Sequence, residues 1–171
     1  MTATFGSWRG RLVPMVETVS GSQDDEGITA AAVLLHRFNA EYDEPAPPPD
    51  VLATRLAELL AGGHIVVFLA RAQDDGAPVG VAVTRVQPSV IGLGQEVYLA
   101  ELYVVPGRRG QGYGRELITE AMRDARSKGA EYAFLITSEE DRLAQRLYEA
   151  AGFRRTEGED GPIMLAYERE L

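Results

Sequence analysis

The sequence predicts one α/β domain, 1–171: a mixed sheet with helices on both faces, its C-terminal half containing a right-handed strand–helix–strand crossover. Three observations point there. Apolar runs of alternating or β-branched residues follow one another before residue 105, which implies antiparallel strands. Two stretches carry apolar residues every three and four, which implies amphipathic helices. After residue 105 helical and strand patterns alternate, and 171 residues suit a single sizeable core.

Leu12–Val19 alternates and reads as the first strand, followed by a polar loop over Ser20–Glu26. Gly27–Tyr42 is helical, with Ala31, Leu34, Leu35, Phe38 and Tyr42 on one stripe, and the proline-rich Pro45–Pro49 stops it. Asp50 can cap a second helix through Ala61, whose stripe is Leu52, Leu56, Leu59 and Leu60 and whose end is Gly62-Gly63. Ile65–Ala72 and Val79–Gln87 form a hairpin across Asp74-Asp75-Gly76, and Glu96–Val105 extends the meander. Gly112–Lys128 is a helix, Tyr132–Thr137 a strand and Asp141–Ala151 a helix; Phe153–Thr156 and Ile163–Glu170 read as closing strands.

Composition narrows the chemistry. Seventeen Lys and Arg against 26 Asp and Glu give a net charge of −9, which argues against nucleic acid or an anionic membrane as partner and favours a cationic one. No cysteine is present, which excludes disulfides, thiolate metal sites and a cysteinyl acyl intermediate. The two histidines, His36 and His64, stand in no metal-ligand spacing, so no metal is expected and both read as structural. Trp8 fits a core position or an arm anchor. The longest apolar stretch falls well short of the roughly 18 residues a membrane span needs, and Met1–Val16 lacks a secretory pattern. The expected location is the cytoplasm.

Gly107-Arg108-Arg109-Gly110-Gln111-Gly112-Tyr113-Gly114-Arg115 carries the strongest chemical signal. Glycines let backbone N–H groups approach a ligand, and the following helix offers unpaired N–H groups and a positive dipole end. Three arginines gather there in an otherwise acidic chain, so a phosphate or pyrophosphate is the natural guest. A Walker A loop needs Gly-Lys-[Ser/Thr] and a dinucleotide fingerprint needs glycine where Arg115 stands; both fail.

Glu101-Leu102-Tyr103-Val104-Val105-Pro106 leading into Arg109-Gly110-Gln111-Gly112-Tyr113-Gly114 resembles the acetyl-coenzyme A signature of the GNAT superfamily of N-acetyltransferases, matching its [Gln/Arg]-x-x-Gly-x-[Gly/Ala] pattern at Arg109, Gly112 and Gly114. Ala144-Gln145-Arg146-Leu147-Tyr148-Glu149-Ala150-Ala151-Gly152-Phe153 is similar to the family's second segment, A-x-x-L-Y-x-x-x-G-F. The resemblance implies a mostly antiparallel central sheet splayed between its fourth and fifth strands. It implies acetyl-CoA as co-substrate, with Val104 and Val105 offering backbone contacts to the pantetheine arm. Arg109, Gly110, Gln111, Gly112, Tyr113 and Gly114 would then cradle the pyrophosphate, with Arg115 a weaker phosphate contact. Pro106 fits, because it removes a ladder donor and biases Val105 toward extended geometry.

The same resemblance makes Tyr148 the thiolate-protonating acid. Along the helix Asp141 and Tyr148 differ by about 700°, roughly 20° from coincident, so both can face one groove. Asp141 stands where the family often has a pantetheine-binding asparagine; it keeps acceptor oxygens, loses the amide donor, and can equally serve as helix N-cap, with Ser138 as an alternative. Glu101 is the candidate base, sharing one strand face with Tyr103. Glu96 and Tyr103 are reserves for substrate contact, and the acidic Glu41, Asp43 and Glu44 with Phe38 and Tyr42 could receive an amine, although a solvated helix end is the simpler reading. The implied reaction is direct attack of a primary amine on acetyl-CoA. The acceptor would be a small molecule such as an aminoglycoside, polyamine or amino-acid derivative; a protein amine, or acyl-CoA binding without turnover, are the alternatives. The resemblance also leaves room for a homodimer.

Overall fold

The two central strands are apolar at consecutive rather than alternate positions, IVVFLAR and PVGVAV, so the sheet they build needs cover on both faces. The structure, a computed structural model, describes residues 14–19 and 21–169. Five strands stand in chain order: β1 (Met15–Thr18), β2 (Ile65–Arg71), β3 (Pro78–Pro88), β4 (Gln95–Val104) and β5 (Ala130–Phe134). The first four are antiparallel neighbours, and β5 runs parallel to β4. Helices α1 (Asp25–Glu41) and α2 (Pro49–Ala61) cover one face, packing on Ile65, Val67, Leu69, Val81, Val83 and Tyr103. On the other face α3 (Tyr113–Ser127) packs Tyr113, Leu117, Ile118 and Ala121 on Phe68, Ala70, Ala82 and Leu99, and α4 (Arg142–Ala150) adds Leu147 and Tyr148. The expected mixed sheet with two helical layers is therefore present.

Several elements shift from their sequence-based bounds. Asp24 caps α1 by accepting from the Gly27 N–H at 2.9 Å, so the helix begins two residues before Gly27. β1 is shorter than expected at its start; Leu12 and Val13 lie outside the described residues, as does Trp8. β5 begins at Ala130 and ends at Phe134 instead of spanning Tyr132–Thr137. Gly129, at φ 79°, turns α3 straight into the strand, and its carbonyl accepts from the Gln95 N–H at 3.0 Å.

The closing strands are a correction. Among the described residues after α4, the chain forms one isolated bridge, Thr156 to Ile163, and joins no sheet. Ile163, Leu165 and Tyr167 remain exposed, so ordering them into a strand would gain no burial to offset the lost backbone entropy.

Two irregularities in β4 shape the cleft beside it. Leu99 stands opposite Thr84 but Glu101 stands opposite Val83, which leaves Ala100 as an extra, bulged residue. The pairing with β5 covers only Gln95 to Tyr98, so the edge of β4 from Leu99 to Val104 has no strand beside it among the described residues. This is the expected splay between fourth and fifth strands, opening at Leu99.

Leu117 is 0% exposed and lies at the centre of the α3 layer. Replacing it with Ala should cost about 2–5 kcal/mol, read as a lowered denaturation midpoint at unchanged slope.

Candidate active site

The glycine loop is built to present backbone. Val105 is extended at φ −54°, ψ 139°, a short 3-10 turn follows over Pro106–Arg108, and Gly110 and Gly112 both take positive φ, 75° and 97°. A side chain is strained in that region, so glycine is required where the chain turns into α3. The first bond of the helix runs from the Glu116 N–H to the Gly112 carbonyl at 3.1 Å, and no described residue caps the helix with a side chain. The N–H groups of its first turn are thus left for an anion. Gly114 has a different role: a Cβ there would stand 3.0 Å from Leu147 Cδ2, so glycine lets α3 approach α4.

The loop's side chains are already engaged. Arg109 donates from Nε to the Val104 carbonyl at 2.8 Å and from its terminal nitrogen to both Glu41 oxygens at 2.7 and 2.9 Å. Its guanidinium also lies 5.7 Å from the centre of the Tyr103 ring. Arg108 pairs with Asp74 at 2.9 Å, Gln111 donates to the Gly107 carbonyl at 3.2 Å, and the Tyr113 ring is buried under α3. The expected concentration of free positive charge is therefore largely neutralised within the protein. Arg115 is exposed and has no ion pair among the described residues. What the loop leaves open is therefore main chain and, among its arginines, Arg115.

At the acidic end of α1, Glu41 is likewise committed, whereas Asp43 and Glu44 are exposed and make no ion pair among the described residues. Glu41 holds Arg109 and receives the Tyr103 hydroxyl, and Phe38 stacks on Tyr103 at 5.4 Å. Burial, followed by that hydrogen bond and the Glu41 charge, raises the Tyr103 phenol. Glu41 is thus a tie between α1 and the glycine loop. Glu96, a reserve for substrate contact, accepts from Ser89 Oγ at 2.8 Å within the β3–β4 connection.

The splay brings the remaining candidates together. Glu101 is half-buried on the α1 face of β4, with no hydrogen-bond partner among the described residues. Burial raises its carboxyl above the usual carboxylate range, and the charge of Arg85 opposes that rise. Tyr148, half-buried on α4 and edge-on to Phe153 at 6.2 Å, has its phenol pushed up to about 12. Burial is the main cause, followed by Asp141, Tyr42, Glu101 and Tyr98. Those groups come from α4, the end of α1 and β4, so the phenol stands where the three meet. A tyrosine so placed keeps its proton at neutral pH and can donate it. Asp141 caps α4, accepting from the Ala144 N–H at 2.9 Å, while Ser138 Oγ accepts from the Glu140 N–H.

Three residues of this cleft escaped sequence reasoning. Tyr98 stacks on Phe134 at 5.0 Å, and the Arg85 guanidinium lies 5.7 Å from the Tyr98 ring centre. In unbroken alternation Tyr98 and Glu101, three apart, would point to opposite faces. The bulge at Ala100 puts both on the α1 face, opposite Arg85 and Val83 of β3. Only the cross-strand register reveals this.

A family model described as the Acetyltransferase (GNAT) family matches residues 31–153, and the chain belongs to that family. Aminoglycoside N(6')-acetyltransferase type 1 of Salmonella typhimurium is 28% identical over 116 residues, covering 66% of this chain and 79% of that one. Glucosamine 6-phosphate N-acetyltransferase of Trypanosoma brucei brucei is 32% identical over 115 residues, covering 67% and 76%. Among solved structures, one of an assigned acetyltransferase from Arthrobacter sp. FB24 superposes with a TM-score of 0.79 at 38% identity, over 97% of this chain and all of that one. The chain is thus an enzyme of the acyl-CoA-dependent N-acetyltransferase class.

A raised Glu101 carboxyl means that the folded protein binds that proton more tightly than the unfolded chain does. Its contribution to stability is present at low pH and is lost as pH rises through the folded-state titration. Glu101→Gln should therefore unfold at higher denaturant concentration than the native chain at neutral pH, with the gap closing below about pH 4. Equal midpoints at neutral pH would contradict the burial of the charge.

Proposed function

We propose that this enzyme transfers an acetyl group from acetyl-CoA directly to a primary amine of a small molecule, with Glu101 as base and Tyr148 as acid. The observation that carries the reading is the meeting of these two groups at the splay: a carboxyl free of internal partners and a phenol that retains its proton. The resemblance of the glycine loop to the acetyl-coenzyme A signature, and relatives acting on aminoglycosides and glucosamine 6-phosphate, support the donor and the substrate class.

The residues fit the donor in two respects. The positive-φ glycines leave the N–H groups of Gly110, Gly112, Tyr113 and Gly114 available to a pyrophosphate, beside the backbone of Arg109 and Gln111. The open edge of β4 offers main-chain groups to an extended amide-bearing arm up to the Val104 N–H; the Val104 carbonyl is held by Arg109, and Val105 is already engaged, its N–H on the Val79 carbonyl and its carbonyl on the Arg108 N–H. Asp141 would contribute at most the oxygen lone pairs its capping bond leaves over. When bound, acetyl-CoA supplies the acetyl group as a thioester.

An amine arrives protonated and must lose a proton before it can attack. Glu101 in its carboxylate form accepts that proton directly or through water, and its burial makes it a stronger base than an exposed glutamate. Tyr148 donates its phenolic proton to the departing sulfur. With no cysteine in the chain, the acetyl group passes to the amine without a cysteinyl intermediate.

Free-thiol release from acetyl-CoA across a panel of amines tests the reading. Tyr148→Phe should lower turnover at saturating substrates by about 100-fold while leaving acetyl-CoA affinity unchanged. The rate of the native enzyme should rise with pH as Glu101 ionises, above the ordinary carboxylate range, and Glu101→Gln should lose that limb. An unaltered rate in Tyr148→Phe would remove the acid, and an unaltered pH profile in Glu101→Gln would remove the base.

A further inference from the structure

Arg85 is the group in this cleft that acetyl transfer by Glu101 and Tyr148 leaves unused. It sits on β3 directly opposite Tyr98, and two residues before it Val83 stands opposite Glu101. The bulge at Ala100 makes Arg85, Tyr98 and Glu101 share the α1 face of the sheet. The guanidinium is exposed and lies over the Tyr98 ring, whose far neighbour Phe134 holds it in place by stacking. Ring contact of this kind orients the planar donor fork while leaving its N–H groups unspent.

Three arginines of the sheet and the glycine loop are differently placed. Arg71, Arg108 and Arg109 each have a carboxylate within 3 Å. Arg85 has no ion pair among the described residues, although the chain carries 26 acidic side chains. At the end of α1, Glu41 is taken by Arg109 and Tyr103, which leaves Asp43 and Glu44 as its exposed carboxylates. On this face Arg85 stands diagonal to two carboxyls of the adjacent strand: Glu96, which Ser89 already holds, and Glu101, which has no hydrogen-bond partner among the described residues.

We propose that Arg85 binds an anionic group on the acceptor, so that the amine acetylated here belongs to a molecule that also carries a carboxylate or a phosphate. This rests on the acetyltransferase reading and narrows its substrate class to amino acids and amino-sugar phosphates or their like. Diagonal neighbours across antiparallel strands are separated by roughly 7–8 Å, so amine and anion must lie within a few bonds of each other in a compact molecule. A polycation lacking such an anion places like charge against Arg85 and is disfavoured.

The test uses matched pairs with the full-length protein and acetyl-CoA: lysine against cadaverine for a carboxylate, and glucosamine 6-phosphate against glucosamine for a phosphate, with kanamycin as the polycation. The native enzyme should prefer the anionic member of at least one pair by about 10- to 100-fold in kcat/KM, the scale of a charge-assisted bond. Arg85→Gln should collapse that ratio toward one, and Arg85→Lys should restore part of it. Preference for the neutral or polycationic amines, or an unchanged ratio in Arg85→Gln, would overturn the inference while leaving the acetyltransferase reading intact. Absence of turnover with every amine would overturn both.

Discussion

The departure of β4 from β5 after Tyr98 is the constraint on which the rest of this molecule depends. A strand edge without a neighbour normally invites aggregation or must be covered, because its N–H and C=O groups need partners. Here the unpaired stretch runs from Leu99 to Val104. In the proposed reaction it is the slot for the extended arm of the donor. The same gap lets α4 bring Tyr148 close enough to Glu101 to feel its charge, so the proposed donor recognition and proton transfer share one interruption of pairing.

The bulge at Ala100 works with that gap. A regular strand would place Leu99 and Glu101 on the same face, and Leu99 belongs to the α3 core. One additional residue allows β4 to place Leu99 in that core and then turn Glu101 and Tyr103 toward α1. The strand thus serves a hydrophobic layer in its first half and a reactive cleft in its second. Burial raises both Glu101 and Tyr148, which costs native stability for the carboxyl and agrees with the proton-transfer step proposed for each.

How much of this could be read from the residues depended on the range of the interaction. The helices α1 to α4, the hairpin of β2 and β3, and the Gly110–Gly112 turn follow from local periodicity, capping and backbone freedom, and they formed with ends moved by a few residues. The roles of Arg109 and Glu41 could not be read, because they stand 68 residues apart in sequence and meet only in the fold. Tyr98, Phe134 and Arg85 were hidden for a related reason: a one-residue bulge reverses the face that alternation assigns. The closing strands failed differently. Phe153–Thr156 and the segment from Ile163 have strand-like composition, but a strand needs a neighbour and a buried face, and among the described residues neither is supplied.

The pairing of Arg109 with Glu41 also bears on how the protein responds to its medium. Attraction between mobile surface charges weakens as ions accumulate around them, over a length of about 10 Å in dilute buffer. A cradle of fixed backbone dipoles at contact distance is shielded far less. With Arg108 and Arg109 already compensated by Asp74 and Glu41, the grip proposed for an anionic donor rests chiefly on geometry set during folding, which ionic strength alters little.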